Sequence, residues 1–241
     1  MPRVIFETVE GFSGKLVSRV IDDPDLREHL HVFKDRFHAG KLLAEMLQKH
    51  VPLENAVLFA IPAGGVPIGY EISKELNLPL DVIIVRKIQV PWNPEAGFGA
   101  VSWDGEVVLN EALVKQLGLS RDIVQRSIEK TMEVVQDRLG KFRGDKPMPE
   151  VKNKTVILVD DGLASGYTML AAMRSVKKRD PKRVVVSIPT ASKNAIELLS
   201  GQVDDLLCLN IRTTPMFAVA EAYQKWYDLT DEEVKDLLEK V

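Results

Sequence analysis

Val156-Ile157-Leu158-Val159-Asp160-Asp161-Gly162-Leu163-Ala164-Ser165-Gly166-Tyr167-Thr168-Met169 decides the fold of this chain. Four apolar residues run into two adjacent acids, then into a loop of small residues. A helical stretch follows, starting near Thr168 and continuing to Lys178. An unbroken apolar run of this kind reads as a strand buried on both faces of a parallel sheet. In an open α/β sheet ligands bind beyond the carboxyl ends of the strands, where this loop falls. Backbone N–H groups of residues 164–168 would converge at the helix N-terminus and cradle a phosphate. Gly162 and Gly166 permit the tight turn, and Ser165 and Thr168 add hydroxyl donors. Asp160 and Asp161 repel a phosphate but accept hydrogen bonds from a cis-diol. The combination selects a sugar phosphate. Two other readings share part of the pattern. One is a plain strand-to-helix turn; the other is the acid pair of a receiver domain, which lies on the first strand, whereas here most of the sheet precedes it.

Outward from this segment, short apolar runs alternate with amphipathic stretches, as in a parallel sheet covered by helices. Strands are predicted at residues 56–61, 81–85, 106–109, 155–159, 183–188 and 205–209, and helices at 35–50, 66–76 and 121–142. Ser120 is the expected N-cap of the last of these. Its Val124, Ile128, Met132, Val135, Leu139 and Phe142 form one stripe. Residues 89–105, with Pro91, Pro94, Gly97 and Gly99, read as a flexible lid loop, and 143–154 as a connector. Thr230 and Glu233 form a capping box before a short final helix. The expected organisation is an N-terminal extension over 1–33, a Rossmann-like α/β core over 34–217 and a helical tail over 218–241.

Composition narrows the function classes. A hydrophobic fraction of 45% in 241 residues supports a sizeable core. The net charge of −3 gives no electrostatic case for a nucleic-acid partner. The single cysteine, Cys208, sits in an apolar run and reads as a core residue in a reducing, cytoplasmic setting. No leader-like opening and no apolar run long enough to span a membrane is present. His29 and His31 lack neighbouring ligands at metal spacing and read as solvated or loosely packed.

Two further segments face the same sheet edge. Phe59-Ala60-Ile61-Pro62-Ala63-Gly64-Gly65-Val66-Pro67 is a strand, a tight turn and a helix start. Val82-Ile83-Ile84-Val85-Arg86-Lys87 carries two cations to a strand end. Together with the acid-pair loop, these segments resemble the type I phosphoribosyltransferases over residues 33–217. The pieces at 33–40, 93–95 and 108–111 resemble a broad prokaryotic branch of that family.

The resemblance implies a parallel-sheet phosphoribosyltransferase fold and a reaction in which 5-phosphoribosyl-1-pyrophosphate (PRPP) donates its phosphoribosyl group to a nitrogenous base or similar acceptor. By that likeness Gly162, Leu163, Ala164, Ser165, Gly166, Tyr167 and Thr168 form the 5-phosphate loop, and Asp160 and Asp161 hold the ribose hydroxyls. Ala63, Gly64 and Gly65 form the pyrophosphate loop, where a non-proline cis peptide is common, with Arg86 and Lys87 beside it. Mg2+ is the implied cofactor, held mainly by PRPP, with any protein contact passing through water to Asp160 or Asp161. A homodimer is expected. The chain departs from the pattern at Ala63, where close relatives carry arginine, and at Ala164, where 6-oxopurine enzymes carry aspartate. The acceptor pocket is expected near residues 210–217, with Phe217, Trp226 or Tyr227 stacking on a base or else packing as core. Trp92 and Trp103 either close over the site or anchor their loop. A non-catalytic PRPP sensor is the alternative function.

Overall fold

The computed structural model describes residues 4–5, 18–214 and 216–241. In chain order the elements are β1 (Val4–Ile5), β2 (Arg19–Asp22), α1 (Arg36–His50), β3 (Ala56–Ala60), α2 (Gly65–Leu76), β4 (Leu80–Val82), β5 (Val85–Val90) and β6 (Asn93–Ser102). There follow β7 (Val107–Leu109), α3 (Glu111–Gln116), α4 (Arg121–Arg143), β8 (Thr155–Val159), α5 (Tyr167–Lys177), β9 (Arg183–Ser192), α6 (Lys193–Leu199), β10 (Asp205–Arg212) and α7 (Asp231–Leu238). Seven strands form the main sheet in the order β1-β2-β10-β9-β8-β3-β4. All neighbours are parallel except the β1–β2 pair.

β3 and β8 are buried at every position, as strands covered on both faces must be. Their side chains alternate between two cores. Val57, Phe59, Val156 and Leu158 join Met169, Leu170 and Met173 of α5 on one face. Leu58, Ala60, Ile157 and Val159 join Leu43 and Leu47 of α1 and Ile68 and Ile72 of α2 on the other. Each such side chain contributes roughly 1.5–3 kcal/mol through burial. No helix among the described residues is long and apolar enough to cross a membrane.

Three expectations change. The strand predicted at 81–85 divides: β4 ends the main sheet at Val82, and β5 begins a separate antiparallel sheet, β5-β6-β7. The strand at 106–109 likewise belongs to this small sheet. Residues 89–105, expected as a loop, are mostly β-structure, the β5–β6 hairpin, with a register shift around Gln89. Its signal lay in the alternation of Ile88 and Val90, which are buried with Phe98, Val101 and Leu119 under the apolar stripe of α4, while Val85 joins a core of the main sheet. The prolines and glycines masked that signal. Gly99 is needed because a Cβ there would lie 2.4 Å from the Val108 carbonyl. Lastly, part of the N-terminal extension is in the sheet, since β2 pairs with β10.

That docking rests on Asp205, fully buried between Arg19 at 2.6 Å and Arg183 at 2.5 Å. Asp205→Ala leaves two cations facing each other across three strands. We expect a loss of ~3 kcal/mol in urea unfolding, with Asp205→Asn losing less.

Candidate functional site

β3 and β8 lie side by side in register, so their carboxyl ends deliver two turns to one edge. Ile61 N–H donates to the Val159 carbonyl at 3.0 Å and fastens the turns together. The Pro62–Ala63 peptide is cis. Gly64 lies so close to the second acid that a Cβ would sit 1.8 Å from Asp161 Oδ2. Gly65 does not belong with the free donors, which corrects the sequence reading. Its amide bonds the Ile61 carbonyl at 3.0 Å, and its role is close approach to β8, where a Cβ would lie 2.8 Å from the Val159 carbonyl.

After β8 the phosphate-loop candidate turns back across β9. Leu163 is buried; its amide donates to Thr190 O at 2.9 Å and its carbonyl accepts from Ser192 N at 3.0 Å. It pins the loop, in keeping with donors drawn only from residues 164–168. Tyr167 packs into the core beside α5, so only its amide faces the turn. Gly166 adopts a left-handed φ of +79° that starts α5. Among the described residues the amides of Ala164, Ser165, Gly166, Tyr167 and Thr168 have no protein acceptor. Five consecutive free donors at a helix start are suited to an anion.

The acids are organised by a residue that the sequence reading did not single out. Arg36 donates to Asp161 Oδ2 from Nε at 3.0 Å, and its Nη2 forms an ion pair with the same oxygen at 2.9 Å. Its Nη1 donates to the Tyr227 carbonyl at 2.9 Å, and Trp226 covers its guanidinium at 3.9 Å. Tyr223 O–H donates to the Asp161 carbonyl at 2.6 Å. Arg36 follows the N-cap Asp35 in the first turn of α1, where the helix dipole disfavours a cation. That mismatch was visible in the sequence. Trp226 is thus committed to Arg36 rather than free to stack on a base. Trp103 anchors the small sheet, packed against both main cores and under Arg179 at 4.5 Å. Trp92 stays exposed at the hairpin turn.

A cavity of about 400 Å³ joins these parts. Asp160, Asp161 and Thr168 line one side, Ala63 and Gly64 another, and Arg86 and Lys87 a third, with Gln89, Pro94 and Glu95 of the hairpin across the opening. Arg86 has no acidic partner within 4.0 Å among the described residues. Lys87 Nζ donates to the Glu95 carbonyl at 2.5 Å and so ties the hairpin tip to the site.

Burial, reinforced by the neighbouring charge of Asp161, holds the Asp160 carboxyl well above the usual carboxylate range. Burial also raises Asp161, opposed by Arg36. A raised folded-state value means that stability is full in acid and is lost as pH rises through the shifted range. Asp160→Asn removes that loss while keeping an oxygen for the Asp161 N–H, bonded at 2.8 Å. Thermal melts at neutral pH should show the ligand-free variant more stable, by about 2–4 °C for ~1 kcal/mol of relief. A lower midpoint would mean that Asp160 is not held against its own ionisation.

Comparison with known proteins identifies the family. Residues 104–226, about half of the chain, match the family model described as "Phosphoribosyl transferase domain". A Mycobacterium tuberculosis protein provisionally named a phosphoribosyl transferase is 32% identical over 213 residues, 88% of this chain and 47% of that protein. The chain therefore spans about half the length of the curated relatives it matches in this way. The crystal structure of TT1426 from Thermus thermophilus is 36% identical with a TM-score of 0.71, covering 86% of this chain and 98% of that one. A ribose-phosphate pyrophosphokinase of Thermococcus kodakarensis is 34% identical over 73 residues, 30% of this chain and 26% of that protein. On the strength of the matched domain, the chain belongs to the phosphoribosyl transferase domain family.

Proposed function

We propose that this chain binds PRPP together with Mg2+ and transfers its phosphoribosyl group to a nitrogen acceptor with release of pyrophosphate. The single cavity shared by the acid pair, Thr168, the Ala63–Gly64 turn and the Arg86–Lys87 cations supports this reading. A diol on Asp160 and Asp161 and a pyrophosphate against Ala63, Gly64, Arg86 and Lys87 would occupy it, with the 5-phosphate passing Thr168 to the free amides at 164–168. The local likeness to a ribose-phosphate pyrophosphokinase is consistent with a ribose-phosphate ligand.

In the proposed reaction the acceptor nitrogen forms a bond to C1 as the C1–O bond to pyrophosphate breaks. Positive charge grows on the ring, near the carboxylates, and negative charge on the leaving group, near Arg86 and Lys87. A preorganised donor at such a position contributes ~3 kcal/mol in other enzymes. The donor set fits magnesium of a particular kind. No group of three acidic, histidine or cysteine side chains among the described residues could hold a metal alone. The paired carboxylates still face the cavity, so the ion would depend on phosphate and ribose oxygens, with Asp160 and Asp161 reached through water. Bound there, magnesium would neutralise the pyrophosphate. The β5–β6 hairpin across the opening would limit hydrolysis by excluding water. Ala164 argues against a 6-oxopurine acceptor. The family likeness extends the proposal to a cytoplasmic homodimer.

Equilibrium binding of labelled PRPP with Mg2+, followed by pyrophosphate release against a panel of bases, tests the proposal. Binding with turnover on one base class is expected. Binding without turnover on any base would favour the sensor, and no binding would discard both. Asp161→Asn should weaken PRPP binding about 10- to 100-fold, the range of lost charge-assisted hydrogen bonds, with the fold intact by circular dichroism. Ribose hydroxyls donate best to an ionised carboxylate, so affinity should rise with pH through the raised range of Asp160. That slope should flatten in Asp160→Asn, whereas the same slope in both would assign it to the ligand.

A further inference from the structure

The site cavity is not the largest opening at this edge. Beyond Arg86 and Lys87 lies a second cavity of about 550 Å³, between the β5–β6 hairpin and the outer face of α4. The two cavities share Arg86, Lys87, Gln89 and Pro94, but the second touches neither acid nor Thr168. It therefore adjoins the pyrophosphate end of the site and not the ribose end.

Its lining has a definite chemical character. Four cations, Arg86, Lys87, Arg126 and Lys130, contribute to it, and among the described residues no acidic one does. Arg126 and Lys130 are four residues apart on α4 and share one helix face. Apolar surface from Ile123 and Val134 makes up much of the remaining wall. Arg86 is partly buried, and its burial and the nearby charge of Arg138 pull its guanidinium below the ordinary arginine value. Such a cation, with no acid in contact among the described residues, is stabilised by an incoming anion. The volume falls within the ~300–1,000 Å³ range of small-molecule pockets.

We propose that this second cavity binds an organic phosphate with a flat apolar body, and that its occupancy draws Arg86 and Lys87 away from pyrophosphate. An acceptor displacing pyrophosphate reaches C1 from the side opposite the leaving group. A cavity that opens past the two shared cations is thus placed for an effector anion and not for the acceptor; this step rests on the function proposed above. Because the cations are common to both cavities, the two ligands oppose each other, and by linkage each weakens the other by the same factor.

Fluorescence titration with trinitrophenyl-AMP, an anion with a flat apolar body, tests the site on the full chain. Both Arg126 and Lys130 are exposed on the helix, so the Arg126→Ala/Lys130→Ala double variant should fold. It is expected to bind the probe about tenfold more weakly, while Asp161→Asn binds it within twofold of wild type. Ser127→Trp, which fills the cavity without removing charge, should block the probe as well. Equal probe affinity in wild type and the double variant, or loss in Asp161→Asn alone, would overturn the proposal. So would full binding by Ser127→Trp, which would reveal non-specific attraction to a basic surface. A parallel PRPP titration keeps the two readings apart. If wild type fails to bind PRPP yet binds the probe through Arg126 and Lys130, the transferase reading falls and the second site stands.

Discussion

Two carboxylates at adjacent positions cannot both be ionised at a partly buried sheet edge without a counter-charge, and Arg36 supplies it to one of them. The ion pair from Arg36 to Asp161 does more than neutralise. The cation is covered by Trp226, and its remaining nitrogen holds the Tyr227 carbonyl. Tyr223 in turn bonds the Asp161 backbone. A segment near the C-terminus, the start of α1 and the end of β8 are thereby locked around one carboxylate. Phe33 N–H to Ala222 O and Gln224 N–H to Phe33 O extend the lock into the stretch that precedes α1. Asp160 has no such partner among the described residues, and burial beside a neighbouring charge holds it toward its neutral form. The pair is thus asymmetric before any ligand arrives, one member ion-paired and the other poised to ionise.

Close approach is the second constraint. The turn after β3 and the turn after β8 share one cavity because Gly64 and Gly65 leave no side chain between them. Any Cβ at Gly64 would displace the carboxylate that Arg36 holds. The sequence therefore places its smallest residues where two loops must touch, and among the described residues the amides of Ala63, Gly64 and residues 164–168 have no protein acceptors. Unpaired donors at the mouth of a sheet are tolerable because water or an anion can satisfy them.

Much of this was legible in the sequence. The apolar run into Asp160 and Asp161 located the central strand, the acid pair and the loop, because a strand buried on both faces permits almost no polar residue until it reaches the edge. The glycines after Pro62 marked the second turn for the same reason. The hairpin was less legible. Its strands carry Pro94, Gly97 and Gly99, with Pro91 at the turn, and local turn signals outweighed an alternating pattern whose partner is the stripe of α4. Arg36 was hidden because its significance depends on contacts 125 and 191 residues away in the chain. Only its place in the first turn of a helix, against the dipole, hinted that it serves something other than α1. The committed amide of Gly65 was not legible because a loop's free and bonded amides look alike until their acceptors are known.

A crystal structure with Mg2+ and PRPP bound tests the central claim most directly. Ribose hydroxyls are expected within hydrogen-bond distance of Asp160 and Asp161, the 5-phosphate on the amides of residues 164–168, and Arg36 still paired with Asp161. A ribose lying away from both carboxylates, or a 5-phosphate that leaves those five amides unbonded, would contradict it.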